Sequence, residues 1–122
     1  MTKFRGTLLS SVGHALHGLF QVIKRERNFK WISLCAIGAI FVALWVGLSA
    51  WEWALGGIAI GILLSAEIFN TAIEMTVDLV TKKKKYRAKL AKDMAAGGVF
   101  LIALISIVVW AWILCPKLLK MV

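Results

Sequence analysis

Glu67, Asn70, Glu74 and Asp78 follow one another at separations of three, four and four residues in the middle of the chain. On a helix that spacing lines them along one continuous stripe. Counting inward from Trp53 at about 1.5 Å per residue, Glu67 lies roughly 21 Å along such a helix and Glu74 roughly 31 Å. Glu67 then falls in the cytoplasmic half of a bilayer and Glu74 near its boundary. Carboxylates at that depth are expensive and face protein, water or a ligand. A carboxyl withdrawn from bulk water is suited to taking the proton of an alcohol. Two bland readings compete: a packing network in which Asn70 and Thr71 bond a neighbouring helix, and plain solvation of Glu74 and Asp78 at the interface.

Other charged groups can meet this stripe. Glu26 lies in Glu26-Arg27-Asn28-Phe29, ahead of the first long apolar stretch, and Lys92 and Asp93 open the last one. Carboxylates from two segments with a lysine suit a metal-bound polyphosphate, because Mg²⁺ takes one or two carboxylates and keeps its other positions for water and phosphate oxygens. The lysine offsets phosphate charge. The chemistry that results is phosphoryl transfer from a water-soluble nucleotide to a hydroxyl that a lipid presents at the interface. Neither a P-loop glycine pattern nor a protein-kinase signature occurs in the chain. Gly97 and Gly98 read as close helix packing, His14 and His17 as polar-face residues, and Lys82 to Lys85 as a contact for acidic headgroups or nucleotide phosphates.

The elements that must hold these residues are helices in a membrane. Of the 122 residues, 61% are hydrophobic and the mean hydropathy is +0.84, well above the usual soluble composition. The chain from Trp31 to Trp51 and from Met94 to Pro116 carries no charge, so each stretch can supply the roughly 20 residues of a span. The expected layout is a single all-α domain over 1–122. A surface helix covers 8–30, and three membrane helices cover 31–50, 53–80 and 91–115, the last stopped by Pro116. Leu9, Val12, Leu16, Leu19, Phe20 and Ile23 recur at three- and four-residue steps, which marks the first helix as amphipathic and too polar to span. Cys35 and Cys115 lack metal-ligand spacing and read as small apolar residues.

The formal net charge of +9 does not point to nucleic acid. Six basic residues (Lys3, Arg5, Lys24, Arg25, Arg27, Lys30) precede the first span, seven lie between Lys82 and Lys92, and only Lys117 and Lys120 follow the third. The positive-inside rule puts the N-terminus and basic loop in the cytoplasm and the C-terminus outside, with anionic lipids as the partner of the surplus. The basic residues before the first apolar stretch also argue against a cleaved signal peptide.

Glu67-Ile-Phe-Asn-Thr-Ala-Ile-Glu74-Met-Thr-Val-Asp78, followed by Ala91-Lys92-Asp93-Met94-Ala95-Ala96-Gly97, resembles the signature of the prokaryotic diacylglycerol kinase family. The resemblance covers nearly the whole chain, including Glu26-Arg27-Asn28-Phe29. It implies an ATP- and Mg²⁺-dependent lipid kinase of the bacterial cytoplasmic membrane, working as a homotrimer with sites shared between neighbours. By matched position, Glu67 becomes the proton acceptor, Glu26 and Glu74 the metal ligands, and Lys92 with Asp93 the nucleotide contacts. His14, Lys83, Lys84 and Lys85 become further nucleotide contacts, and Asn70 and Asp78 polar supports. The Glu-Arg-Asn-Phe and Ala-Lys-Asp-Met-Ala-Ala-Gly segments look more like the undecaprenol kinase branch than the diacylglycerol branch. A non-enzymatic scaffold or channel subunit, with Glu67 lining a polar path, is the alternative outside this family.

Overall fold

The computed structural model describes residues 6–122, so Lys3 and Arg5 lie outside the described residues. Four helices follow in order: α1 (Leu8–Arg25), α2 (Arg27–Val46), α3 (Ala50–Val80) and α4 (Tyr86–Lys120). The last three are long and apolar enough to cross a membrane. At about 1.5 Å per residue α3 and α4 are roughly 46 and 52 Å long, well beyond the hydrocarbon thickness of about 30 Å. Both therefore carry their polar ends out of the apolar layer.

Local chemistry explains most of the boundaries. Thr7 caps α1 by accepting from the Ser10 N–H at 3.3 Å, and Lys24 and Arg25 occupy its last turn, where cations complement the helix dipole. The α1/α2 break falls at Glu26, whose φ of −97° and ψ of 112° are extended. No glycine or proline marks it. Gly47 ends α2 at φ 78°, donating its N–H to Ala43 O at 2.9 Å, a left-handed position that favours glycine. Ser49 and Glu52 form a reciprocal capping box at the start of α3, with Glu52 N–H to Ser49 Oγ at 3.3 Å and Ser49 N–H to Glu52 Oε1 at 2.9 Å.

Pro116 does not stop α4, which continues to Lys120. Proline forfeits one backbone hydrogen bond and still fits helical φ. Pro116 lies one turn from the end, and beyond it Lys117 Nζ reaches Glu52 Oε1 at 3.1 Å.

The principal packing is between α3 and α4, with α2 and α1 resting more lightly on the pair. Two contacts set the α3/α4 register. Ser106 Oγ donates to Ala59 O at 3.2 Å, a bond between helices that the sequence did not reveal. Gly56, buried, lies under the indole of Trp110, whose Cζ2 stands 2.6 Å from where a glycine-borne Cβ would be. Gly56→Leu is therefore expected to destabilise the hairpin by about 1–3 kcal/mol, the cost of overpacking. Thermal unfolding in detergent checks this, and the same substitution at Gly57, where nothing stands within 4 Å, serves as the control. Most large apolar side chains, including Leu34, Phe41, Phe69 and Phe100, remain exposed in the single chain, as lipid-facing or subunit-facing surfaces do.

Candidate active site

The six acidic residues of the chain fall into two groups. Three are paired with lysine: Glu52 with Lys117 at 3.1 Å, Asp78 with Lys92 at 2.6 Å, and Asp93 with Lys89 at 2.6 Å. The others, Glu26, Glu67 and Glu74, have no basic partner among the described residues. Glu26 and Glu74 lie close enough to Glu67 for their charges to act on it. Like charges without an ion-pair partner repel one another, and a cation relieves that repulsion.

Each member of the cluster is held by a different local device. Glu67 is buried at 3% exposure on the middle of α3, and Thr71, one turn on, donates its Oγ1–H to Glu67 O at 3.0 Å. Glu74 follows two turns after Glu67 and is half-buried. Glu26 occupies the junction of α1 and α2, where it is the N-cap residue of α2 yet makes no side-chain capping bond. Its carboxylate is left for another partner. Phe29, 5% exposed, anchors the start of α2 beside this junction.

Two hollows adjoin these carboxylates and a third lies further along α3. One of about 350 Å³ is lined by Asn28, Glu67 and Asn70, with apolar walls that include Trp31, Val99 and Phe100. A second, of about 260 Å³, lies between α1 and α3 and is lined by His17, Arg25, Glu26 and Thr71 among others. The third, of about 690 Å³, is formed by the α3–α4 loop, with Lys82 to Lys85, Asp78, Lys92 and Asp93 around it. Carboxylates, buried apolar space and a basic hollow thus follow one another along α3.

The residues expected from the sequence are brought together unevenly. Glu26 and Glu74 lie within charge range of Glu67, Glu67 and Glu26 line different hollows, and Asn70 shares that of Glu67. Lys92, Asp78, Asp93 and Lys83 to Lys85 share the loop hollow, and there Lys92 is tied to Asp78 and Asp93 to Lys89. Asp78 thereby positions Lys92, an interaction across 14 residues of sequence. His14 is exposed on α1, and the cleft beside Glu26 is lined by His17 instead. Thr71 bonds within its own helix, and Asn70 Oδ1 is buried with no hydrogen-bond partner among the described residues. Neither bonds a neighbouring helix. Asn28, Ser106, Lys89 and the Glu52–Lys117 pair were missed, although Asn28 stood inside the quoted Glu-Arg-Asn-Phe segment.

The donor set fits Mg²⁺, a hard cation that binds carboxylate oxygens. Among the described residues no three of His, Cys, Asp or Glu converge tightly enough to enclose a metal alone. A cation arriving with a polyphosphate, using one or two carboxylates, needs no such cage.

A family model described as prokaryotic diacylglycerol kinase matches residues 13–114. Over 105 residues the chain is 42% identical to an undecaprenol kinase of Bacillus subtilis (strain 168), covering 86% of this chain and 85% of that protein. It is 33% identical over 107 residues to a diacylglycerol kinase of Pseudomonas aeruginosa, covering 88% and 87% of the two chains. To the diacylglycerol kinase of Escherichia coli (strain K12) it is 23% identical over 107 residues, 88% of each. The matched region takes in Glu26, the α3 stripe and Lys92 with Asp93, so the chain belongs to the prokaryotic diacylglycerol kinase family and is an ATP-dependent membrane lipid kinase.

Proposed function

We propose that the protein transfers the γ-phosphate of Mg·ATP to the hydroxyl of undecaprenol at the cytoplasmic face of a bacterial membrane. The observation that carries this reading is the partition of the acidic residues, which leaves Glu26, Glu67 and Glu74 without basic partners among the described residues where α1, α2 and α3 meet. Similarity to the Bacillus subtilis undecaprenol kinase, higher than to the diacylglycerol kinases named above, supports undecaprenol as the acceptor.

Glu67 removes the hydroxyl proton of the lipid. The alcohol oxygen forms the new bond to the γ-phosphorus, the bond to the oxygen bridging the β- and γ-phosphates breaks, and ADP leaves with that electron pair. Glu26 and Glu74 hold Mg²⁺, which neutralises phosphate charge when bound. Lys92, oriented by Asp78, and the exposed Lys83, Lys84 and Lys85 receive the phosphates, with Asp93 and His14 as the remaining nucleotide contacts. Trp31, Val99 and Phe100 give the hollow at Glu67 its apolar side.

The layout agrees with a cytoplasmic N-terminus and basic loop, an outer C-terminus, and α1 lying on the inner surface with its exposed Leu16, Leu19 and Phe20 in the headgroup layer. A homotrimer covers Gly61, Gly97 and Gly98, beside which nothing in this chain stands within 4 Å. Liposomes carrying undecaprenol and diacylglycerol at equal mole fraction, supplied with Mg·ATP labelled at the γ-phosphate, test the acceptor. Label is expected chiefly in undecaprenyl phosphate. Equal or greater labelling of phosphatidic acid makes the protein a diacylglycerol kinase instead.

A further inference from the structure

We infer that Asn28 is a positioning residue for the lipid alcohol, holding the hydroxyl oxygen beside Glu67. This rests on the lipid-alcohol acceptor proposed above. The hollow at Glu67 is lined by the polar side chains of Asn28, Glu67 and Asn70, by Trp31, whose indole carries one N–H, and otherwise by apolar residues. Asn70 is 9% exposed, and its Oδ1 is buried without a hydrogen-bond partner among the described residues. A buried acceptor left unpaired is costly, so it calls for a donor within that hollow.

Asn28 brings the donors. Its amide carries two N–H groups, and its place in the first turn of α2, two residues after the break at Glu26, puts it at the cytoplasmic mouth of the hollow. In the free chain neither N–H reaches Asn70 Oδ1, and one of them is donated to the oxygen of the incoming alcohol. The alcohol O–H is then free to point at Glu67, and a lone pair of the same oxygen remains for the phosphorus.

A second apolar cavity gives the rest of the lipid its direction. It measures about 330 Å³, shares Trp31, Ile32 and Ala103 with the first, and continues past Ala36 and Ala39 toward Ile107 and Trp110. Along α2 and α4 that path leads from the cytoplasmic side toward the middle of the membrane, the direction in which an inner-leaflet lipid extends its chain. A hydroxyl at Asn28 with the chain in this groove is thus the pose that satisfies both ends.

The test uses the full chain in detergent micelles with geranylgeraniol as a binding probe, and then in liposomes with undecaprenol. Asn28→Ala is expected to weaken geranylgeraniol binding about tenfold, the loss of one hydrogen bond to ligand, and to raise the KM for undecaprenol similarly. The KM for Mg·ATP and the thermal unfolding midpoint should not move. Asn28→Ser, which keeps a hydroxyl donor, should recover part of the affinity. Unchanged binding in Asn28→Ala, a rise confined to the KM for Mg·ATP, or no geranylgeraniol binding by the wild-type protein overturns the inference. Wild-type protein that binds the alcohol yet transfers no phosphate overturns the kinase reading, and the binding comparison still judges Asn28.

Discussion

Glu67→Gln is expected to lower phosphate transfer by about 10²–10⁴-fold, the range that a general base contributes, while leaving insertion, helicity and Mg·ATP binding close to wild type. Glutamine matches glutamate in shape but cannot accept a proton at neutral pH. Its amide fits the same buried place on α3, since the Thr71 bond at 3.0 Å runs to the Glu67 backbone oxygen rather than to its carboxylate. Removing a negative charge that stands near Glu26 and Glu74 also relieves repulsion, so the variant should unfold no more easily than the parent. Loss of turnover with intact stability separates a proton acceptor from a packing residue. Single-turnover transfer, with nucleotide binding measured in the same sample, reads both quantities.

The second large effect is expected at the metal ligands. Glu26→Gln and Glu74→Gln should each lower transfer at cellular Mg²⁺ by about 10–100-fold, with partial recovery as Mg²⁺ is raised, because one of two anionic ligands is lost while phosphate oxygens and water remain. The two substitutions should not be additive, as groups acting on one cation form a unit. Glu52→Gln is the contrasting case. It breaks a partly exposed ion pair with Lys117 at the other end of α3, a contact that contributes little to stability, and leaves the Mg²⁺ dependence unaltered. A Mg²⁺ titration of transfer rate distinguishes the two behaviours.

Much of this protein is written in short-range pattern. The charge-free stretch after Trp31 and the one after Met94 announce their helices through composition, and the stripe from Glu67 to Asp78 follows from 3.6-residue periodicity. What the sequence leaves hidden depends on the register between α3 and α4. That register is set by Trp110 lying on Gly56 and by Ser106 reaching Ala59 O, contacts between residues about fifty positions apart. From it follow the pairing of Asp78 with Lys92 and of Glu52 with Lys117, and hence which carboxylates are left alone.

The same limit explains the smaller differences. Pro116 reads as a stop because proline removes a backbone donor, yet α4 runs through it to the lysine that meets Glu52. His14 and His17 are both polar positions on an amphipathic helix. Which of them turns toward Glu26 depends on how α1 is rotated against α3, and the cleft there is lined by His17.

The central claim is that the carboxylates left without lysine partners hold the cation of the nucleotide. Binding of Mn²⁺·ATP to the membrane-embedded protein, followed by electron paramagnetic resonance, tests it most directly. The wild type and Glu67→Gln are expected to immobilise Mn²⁺ with ATP, whereas the Glu26→Gln/Glu74→Gln double variant, folded by its circular dichroism, should not. Mn²⁺·ATP bound by the double variant as tightly as by the wild type would contradict the account and put the metal elsewhere.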